Sequence, residues 1–264
     1  MDATARSAEL LRSRATAPAI PQYRRGAIVA VWAAAALPMA ALAWLVAPAL
    51  AHRFGGAGHV PMAKALITCL TAGLVWQSFL VLALIRRERN GLGWSGLRDA
   101  LWLRAPRSPR TGRTGGKVWF VVVPFVLAFG AEQLVPSLPA PSDRDLGSFL
   151  GSPTGAAFMH GAWIWAAVLL VSFLFNTVLG EELLFRGFLL PRMRDAFGRR
   201  DWVANGVLFA AYHLHMPWAI PTSLLDTFII AYPTKRYRSA WVGIAVHSSQ
   251  SVFLAALVLA LVLR

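Results

Sequence analysis

Residues 158–182 read FMHGAWIWAAVLLVSFLFNTVLGEE, a run free of Asp, Glu, Lys and Arg until it ends on two glutamates. An α-helix needs about 20 apolar residues to cross the hydrocarbon core of a bilayer. This stretch is therefore predicted to be a transmembrane helix with Glu181 and Glu182 close to one end. Ionisable side chains inside a span are rare and mark functional sites.

The rest of the chain has the same apolar character. Hydrophobic residues make up 57% of it and charged residues 14%, and the mean hydropathy is +0.54. A soluble domain carries about 25% charged residues, so the composition excludes a soluble enzyme and a secreted domain. The predicted fold class is all-α, a polytopic membrane bundle of about seven transmembrane helices at approximately 26–50, 61–85, 118–139, 158–182, 203–217, 218–233 and 239–263.

The net charge of +14 comes from basic residues that lie in blocks between the apolar runs. With a cytoplasmic N terminus, 21 of the 26 Lys and Arg residues lie on the cytoplasmic side, as the positive-inside rule requires. This distribution predicts the lipid bilayer, and not nucleic acid, as the partner of the basic segments. The expected organisation is a mobile cytoplasmic tail at 1–25 and a transmembrane domain at 26–264, with a basic cytoplasmic loop at 86–117. The loop is expected to begin as a short amphipathic helix on the membrane surface and to continue as a flexible segment.

Several polar groups interrupt the apolar runs, and helical spacing relates them to one another. Glu182 and Arg186 are four residues apart, which places them on one helix face at ion-pair spacing. Glu181 is turned about 100° from Glu182, so it is predicted to face a different neighbour. Two further acidic residues at membrane depth, Glu132 and Asp226, are candidates either for helix packing or for the same site.

Two histidines on separate predicted helices complete the set. His213 follows Phe209 by one turn, and His247 precedes Ser251 by one turn. A carboxylate and two imidazoles can activate a water molecule and stabilise an oxyanion. The same three groups could instead bind a divalent metal such as zinc. The structural alternative is that Glu182 and Arg186 form a packing pair and that both histidines only satisfy helix contacts. His215 is expected to lie near the bend at Met216–Pro217, outside the site.

The three motifs resemble those of the CPBP family of CAAX proteases and bacteriocin-processing proteins, also called the Abi family. Its signature is Glu-Glu-x-x-x-Arg, then Phe-x-x-x-His, then His-x-x-x-Asn. The first is complete as Glu181, Glu182 and Arg186, and the second as Phe209 and His213. The third is partial, because the position of the asparagine holds a serine. The similar core covers about residues 158–255.

The resemblance implies an intramembrane protease whose site opens toward the cytoplasmic leaflet. Glu181 and His213 would activate the attacking water, and His247 with Ser251 would stabilise the oxyanion. Glu182 and Arg186 would support these groups. If a metal is present, Glu181, His213 and His247 would be its ligands; for such families a metal-free, glutamate-dependent mechanism is the better-favoured view.

The predicted function is hydrolysis of a peptide bond in a membrane-associated protein or peptide. The Ala- and Arg-rich composition is typical of a GC-rich prokaryotic genome, which favours an inner-membrane location and argues against a prenylated substrate. Because the motif asparagine is replaced, a non-catalytic protein that binds a peptide or a partner protein in an immunity or scaffold role stays open. A transporter using a buried proton relay is the third alternative.

Overall fold

A computed structural model describes residues 20–56, 58–88, 93–136 and 138–264. The all-α class is confirmed, since these residues form no strand and contain only an isolated antiparallel bridge between Arg107 and Thr114. Residues 1–19 of the predicted tail and residues 89–92 of the basic loop lie outside the described residues.

Twelve helices are defined over the described part of the chain. In chain order they are α1 (Arg25–Arg53), α2 (His59–Glu88), α3 (Trp94–Ala100), α4 (Val122–Glu132), α5 (Leu146–Leu150), α6 (Pro153–Met159), α7 (Trp163–Arg192), α8 (Arg194–Phe197), α9 (Asp201–Tyr212), α10 (Ile220–Ser223), α11 (Tyr232–Tyr237) and α12 (Ala240–Leu263).

Four of these helices, α1, α2, α7 and α12, are long and apolar enough to cross a membrane. They coincide with four of the predicted spans, but the count of seven is not confirmed. The other three predicted segments are helical in shorter pieces: α4 has 11 residues and α9 has 12. The sixth segment is divided among a 3₁₀ turn at Pro217–Ala219, α10 and a π-helical turn at Thr227–Ala231. Pro217 and Pro221 have no N–H to donate, which favours this interruption.

One end of the bundle is held by charged groups from distant parts of the sequence. Arg192, the last residue of α7, donates to both carboxylate oxygens of Glu88 at 2.8 and 2.6 Å. The Tyr23 hydroxyl donates to the same carboxylate at 2.6 Å. Burial, followed by this hydrogen bond to Glu88, raises the pKa of Tyr23 well above its ordinary value. We call this end, which also carries Lys235 and Arg236, the basic end.

The basic loop is more ordered than its sequence indicates. The amphipathic helix is present as α3, but the segment after it is docked against the bundle. Trp102 and Leu103 are buried, and the Trp102 carbonyl accepts from the Ala240 amide at 2.9 Å. The Arg107 amide donates to the Tyr237 carbonyl at 2.9 Å. The expectation of a flexible loop was therefore wrong for this segment, because it buries apolar side chains and is hydrogen-bonded to the end of α11 and the start of α12.

Two apolar clusters position the polar groups between them. The larger surrounds Leu184, Phe185 and Phe188 of α7 and lies toward the basic end. The smaller includes Met159, Leu169 of α7 and Val258 of α12, and it lies toward the opposite end. The polar side chains of interest lie between the two clusters.

Candidate active site

Two π-helical turns flank the paired glutamates in α7. They cover Phe175–Gly180 and Leu183–Leu189, so Glu181 and Glu182 lie between two widened turns. π-Helical turns are uncommon and frequently occur at functional sites. Glu181 is 3% exposed and Glu182 is fully buried, so both carboxyl groups depend on protein partners.

Glu182 belongs to a network with Arg186 and His247. Its Oε1 atom lies 3.1 Å from Arg186 Nη1 and 3.0 Å from His247 Nδ1. The ion pair predicted from the four-residue spacing is therefore present within α7, and the contact with His247 joins α7 to α12. The Arg186 guanidinium also lies 3.9 Å from the centre of the Phe209 ring, a cation–π arrangement that brings in α9.

Arg186 keeps N–H groups that no described acceptor satisfies. It is fully buried, and although it contacts Glu182 as an ion pair, none of its three side-chain nitrogens has an aligned hydrogen-bond partner among the described residues. Buried N–H groups normally have partners. The guanidinium thus offers donors to a water or a carbonyl oxygen that enters the site.

Glu181 faces away from the cation and toward neutral hydrogen-bond donors. With its nitrogen oriented toward the carboxylate, the Asn176 amide donates to the two Glu181 oxygens at 3.0 and 3.2 Å. The Tyr212 hydroxyl adjoins the same carboxylate and accepts from the Gln77 amide at 2.6 Å. The two adjacent glutamates therefore have separate environments, one ionic and one neutral.

Asn176 and Tyr212 were missed in the sequence. On an α-helix, positions 176 and 181 are about 140° apart, but the i to i+5 repeat of a π-helix brings them to one face. No sequence signal marked that change of period. Tyr212 reaches Glu181 only because α9 packs against α7, although its place next to His213 in the second motif is a local hint.

His213 directly follows the last residue of α9, and one of its ring nitrogens already has a hydrogen-bond partner. Its Nδ1 lies 3.0 Å from the Phe209 carbonyl oxygen. A carbonyl oxygen can only accept, so Nδ1 carries the proton and Nε2 of the neutral ring keeps its lone pair. His213 is thereby held as a hydrogen-bond acceptor at Nε2, which is the form that a base or a water-orienting group requires.

Phe209 lies between the groups contributed by α9 and α12. Its ring centre is 5.0 Å from that of His213 and 6.1 Å from that of His247, and both contacts are edge-on. Tyr212 lies between His213 and Glu181, since its ring centre is 5.3 Å from that of His213 and its hydroxyl adjoins the Glu181 carboxylate. Ser251, one turn beyond His247 on α12, is buried.

Gly243 allows this close approach of α7 and α12. A Cβ atom at this position would lie 2.5 Å from Glu182 Oε2 and 2.7 Å from Thr234 Oγ1. Glu182 therefore packs directly against the backbone of α12. Gly243 precedes His247 by one turn, and this spacing on a shared face was an unused signal in the sequence.

The two remaining acidic candidates, Glu132 and Asp226, meet each other. Their carboxyl groups lie close enough to interact electrostatically, and Asp226 also lies within electrostatic range of Arg186 and His247. Phe129, one turn before Glu132 in α4, contacts the His247 ring at 5.7 Å between ring centres. The pair thus borders the Glu182 network from the side of α4, as an extension of the same polar cluster.

His215 directly precedes the Met216–Pro217 bend, as expected, but it also lies in the site region. Its ring stacks on His213 with centres 5.5 Å apart, and its buried Nδ1 has no partner among the described residues. His215 and Glu181 line one cavity of about 260 Å³. The cavity continues along the parts of α7 and α12 that lead away from the basic end.

The side chains do not form a ready metal site. Among the residues that the structure describes, no three His, Cys, Asp or Glu side chains converge closely enough to hold a metal ion. Glu181 is directed to Asn176, His213 Nδ1 to a backbone carbonyl and His247 Nδ1 to Glu182. The conditional ligand set of Glu181, His213 and His247 is therefore not assembled in this geometry.

Comparison with known proteins agrees with the motifs. A family model described as type II CAAX prenyl endopeptidase Rce1-like matches residues 156–261. No curated protein and no solved structure matches the chain. The matched segment contains the paired glutamates, both motif histidines and Ser251. The match at residues 156–261 is to the CAAX protease, or CPBP, family that the three motifs resemble.

Proposed function

We propose that this protein is an intramembrane endopeptidase that hydrolyses a peptide bond of a membrane-associated protein or peptide. The observation that carries the proposal is the division of roles between adjacent glutamates. The Glu182 carboxylate is paired with Arg186 and His247. Glu181 has only neutral hydrogen-bond donors as direct partners, and it lines a cavity. A carboxylate in such surroundings is suited to take up and return a proton.

In the proposed reaction, one hydrogen of a water molecule faces Glu181 and the other faces His213 Nε2. Glu181 takes a proton as the water oxygen bonds to the carbonyl carbon of the scissile peptide. The same carboxyl group then returns the proton to the leaving nitrogen as the C–N bond breaks. Both steps need direct hydrogen-bond contact, or contact through one water, in the substrate complex.

The oxyanion is assigned to the α12 side of the cluster. His247 Nδ1 faces Glu182, so the ring can also donate from Nε2 only as the imidazolium. The Glu182 carboxylate would accept one of these two hydrogen bonds. The Ser251 hydroxyl would be the second donor in place of the family's asparagine.

The test is cleavage of a peptide library by the purified protein in detergent. Glu181→Gln keeps the side-chain volume but cannot accept the proton, so we expect a loss of about 10² to 10⁴ in rate. An unchanged thermal unfolding midpoint would show that the variant is folded. A Glu181→Gln protein as active as the wild type would reject the proposal.

The second candidate is a non-catalytic membrane protein of the same family that binds a peptide or a partner protein. It is favoured by one observation, the serine at position 251 where the motif has asparagine. In that case the wild type and Glu181→Gln would both leave the library intact and would bind the same peptide equally well.

A further inference from the structure

The segment that follows α3 forms a hairpin at residues 106–115, on the basic end. The Ser108 amide donates to the Arg113 carbonyl across this hairpin at 2.8 Å. The Arg107 amide donates to the Tyr237 carbonyl at 2.9 Å, which ties the hairpin to the last residue of α11. The side chains of the hairpin are therefore held against α11 by backbone contacts that do not depend on their charge.

The hairpin and α11 line two adjoining cavities, of about 480 and 640 Å³, that are strongly basic. Neither lining includes Asp or Glu. Lys235, which lines the smaller cavity, is paired with the Asp201 carboxylate. The other lining cations have no ion-pair partner among the described residues: Arg107, Arg110, Arg113, Lys117, Arg236 and Arg238. Arg236 lines both cavities.

The positive-inside rule accounts for the side of the membrane on which these cations lie, but not for their convergence. It places Lys and Arg in the loops next to membrane helices, where separate exposed side chains would satisfy it. Here, cations from the hairpin and from α11 face one concave surface with no acidic group between them. A cleft lined by charges of one sign concentrates ions of the opposite sign, so the arrangement is suited to an anion.

The larger cavity also has an apolar side. Val118, Val121 and Phe125 line it together with Lys117. Phe125 lies about two helical turns beyond Lys117, in the segment at 118–139 that is predicted to enter the membrane. A soluble phosphate would contact only the cations, whereas a phospholipid would contact both sides. Its phosphate oxygens accept charge-assisted hydrogen bonds from guanidinium groups, and its acyl chain covers the apolar side chains.

We propose that the larger cavity binds an anionic phospholipid, with the headgroup phosphate between Arg113 and Arg236 and one acyl chain along Val121 and Phe125. This binding site is separate from the proposed catalytic groups and does not depend on the peptidase activity. Basic pockets at membrane helices on the cytoplasmic side recognise lipid headgroups in this way. A zwitterionic lipid supplies a phosphate but also a cation, which the basic lining repels.

The test measures the affinity of the purified full chain, in a non-ionic detergent, for fluorescent phosphatidylglycerol and phosphatidylcholine with identical acyl chains. We expect the wild type to prefer phosphatidylglycerol. Arg113→Gln combined with Arg236→Gln should weaken that binding by about 30-fold and remove most of the preference, because each cation close to an anionic headgroup adds a similar increment. The control is Arg86→Gln combined with Arg87→Gln, two exposed arginines of α2 that line neither cavity, and its effect should be much smaller.

A second pair of variants tests the acyl chain. Val121→Trp fills the apolar side of the cavity, whereas Val123→Trp adds the same bulk at an exposed residue outside it. Only Val121→Trp should weaken the binding of phosphatidylglycerol. An unchanged thermal unfolding midpoint without lipid shows that each variant is folded, and if the arginine variant does not fold, the valine pair decides.

Equal losses in the two arginine variants would show a diffuse attraction to the basic end, and the site would be rejected. Equal affinity of the wild type for the two lipids would also reject it. If glycerol phosphate, which lacks acyl chains, displaces phosphatidylglycerol as well as the unlabelled lipid does, the occupant is a soluble phosphate and the lipid assignment is wrong. Displacement by an acidic peptide at concentrations at which the unlabelled lipid does not compete would identify a peptide site instead. None of these measurements requires cleavage, so they leave the peptidase proposal unaffected.

Discussion

Glu181 and Glu182 are neighbours in the sequence but have different partners in the fold. The pairing of Glu182 with Arg186 followed from the four-residue spacing, which acts within one helix. That Glu181 does not pair with Arg186 followed from the rotation of about 100° between successive residues of an α-helix. The contacts of Glu181 with Asn176 and Tyr212 could not be predicted in this way, because the first depends on a π-helical turn and the second on a second helix.

The buried ion pair leads to a stability prediction. Arg186→Ala leaves Glu182 buried without a cation, and we expect it to lower the free energy of unfolding by about 3–5 kcal/mol. Glu181→Ala should lose less, since no cation is its direct partner. Thermal unfolding of both purified variants in detergent measures the difference.

A double variant, Glu182→Gln with Arg186→Met, serves as the control for this pair. Removing both charges together should recover part of the lost stability, because neither partner is left alone. If Arg186→Ala and Glu181→Ala are equally stable and both inactive, Arg186 acts in substrate binding and the structural account of the pair is wrong.

Ser251 leads to a prediction about rate. A serine hydroxyl donates one hydrogen bond and reaches less far than a carboxamide. We expect Ser251→Asn to raise kcat/KM by up to about 10², the amount commonly associated with one oxyanion donor. Ser249→Asn is the matched control, because Ser249 donates to the Val246 carbonyl at 2.7 Å and lies on another face of α12. A wild type faster than Ser251→Asn would show that the serine is suited to its own substrate.

At the scale of elements, the site depends on how closely α7 and α12 approach. Sequence analysis predicted both helices from long apolar runs, and the structure confirms helices long enough to cross a membrane at those positions. It did not find the crossing, which depends on a small residue opposite Glu182. The three shorter segments were also harder to predict, because α4, α9 and the interrupted stretch at 217–237 are too short to give a complete span signal.

Gly243→Ala tests the crossing of α7 and α12. The added methyl group would meet Glu182 Oε2 at 2.5 Å and Thr234 Oγ1 at 2.7 Å, so we expect a loss of about 1–3 kcal/mol in stability together with reduced cleavage. Gly130→Ala in α4 is the control, because no atom lies within 4 Å of a Cβ there. That variant should be neutral or stabilising by about 0.4–1 kcal/mol. Equal effects of the two substitutions would argue against a close contact at Gly243.

At the scale of the whole molecule, the distribution of charge predicts an orientation in the membrane. The basic end carries Arg192, Lys235 and Arg236, and by the positive-inside rule it should face the cytoplasm. Single cysteines at 105, 195 and 236 in a Cys69→Ala background should all react with a membrane-impermeant reagent from the cytoplasmic side. A cysteine at 264 should react only from the other side. Labelling of 105 and 236 from opposite sides would overturn this orientation.

The sequence by itself determined what depends on composition and on neighbours along the chain. Its apolar content identified a helical membrane protein, because long uncharged runs are stable as helices in lipid and not in water. Its motif spacing identified the Glu182–Arg186 pair, since residues four apart meet within one helix. The three motifs also indicated the family that the match at residues 156–261 supports.

Only the tertiary structure decided which groups from different helices meet. It joined His247 to Glu182, Glu132 to Asp226, and His215 with Glu181 around one cavity. These contacts depend on where π-helical turns change the facing of α7 and on how closely α12 can approach it. Helix crossings in a membrane are set by packing of small residues and by buried polar contacts, and neither is encoded in the hydropathy of a single segment.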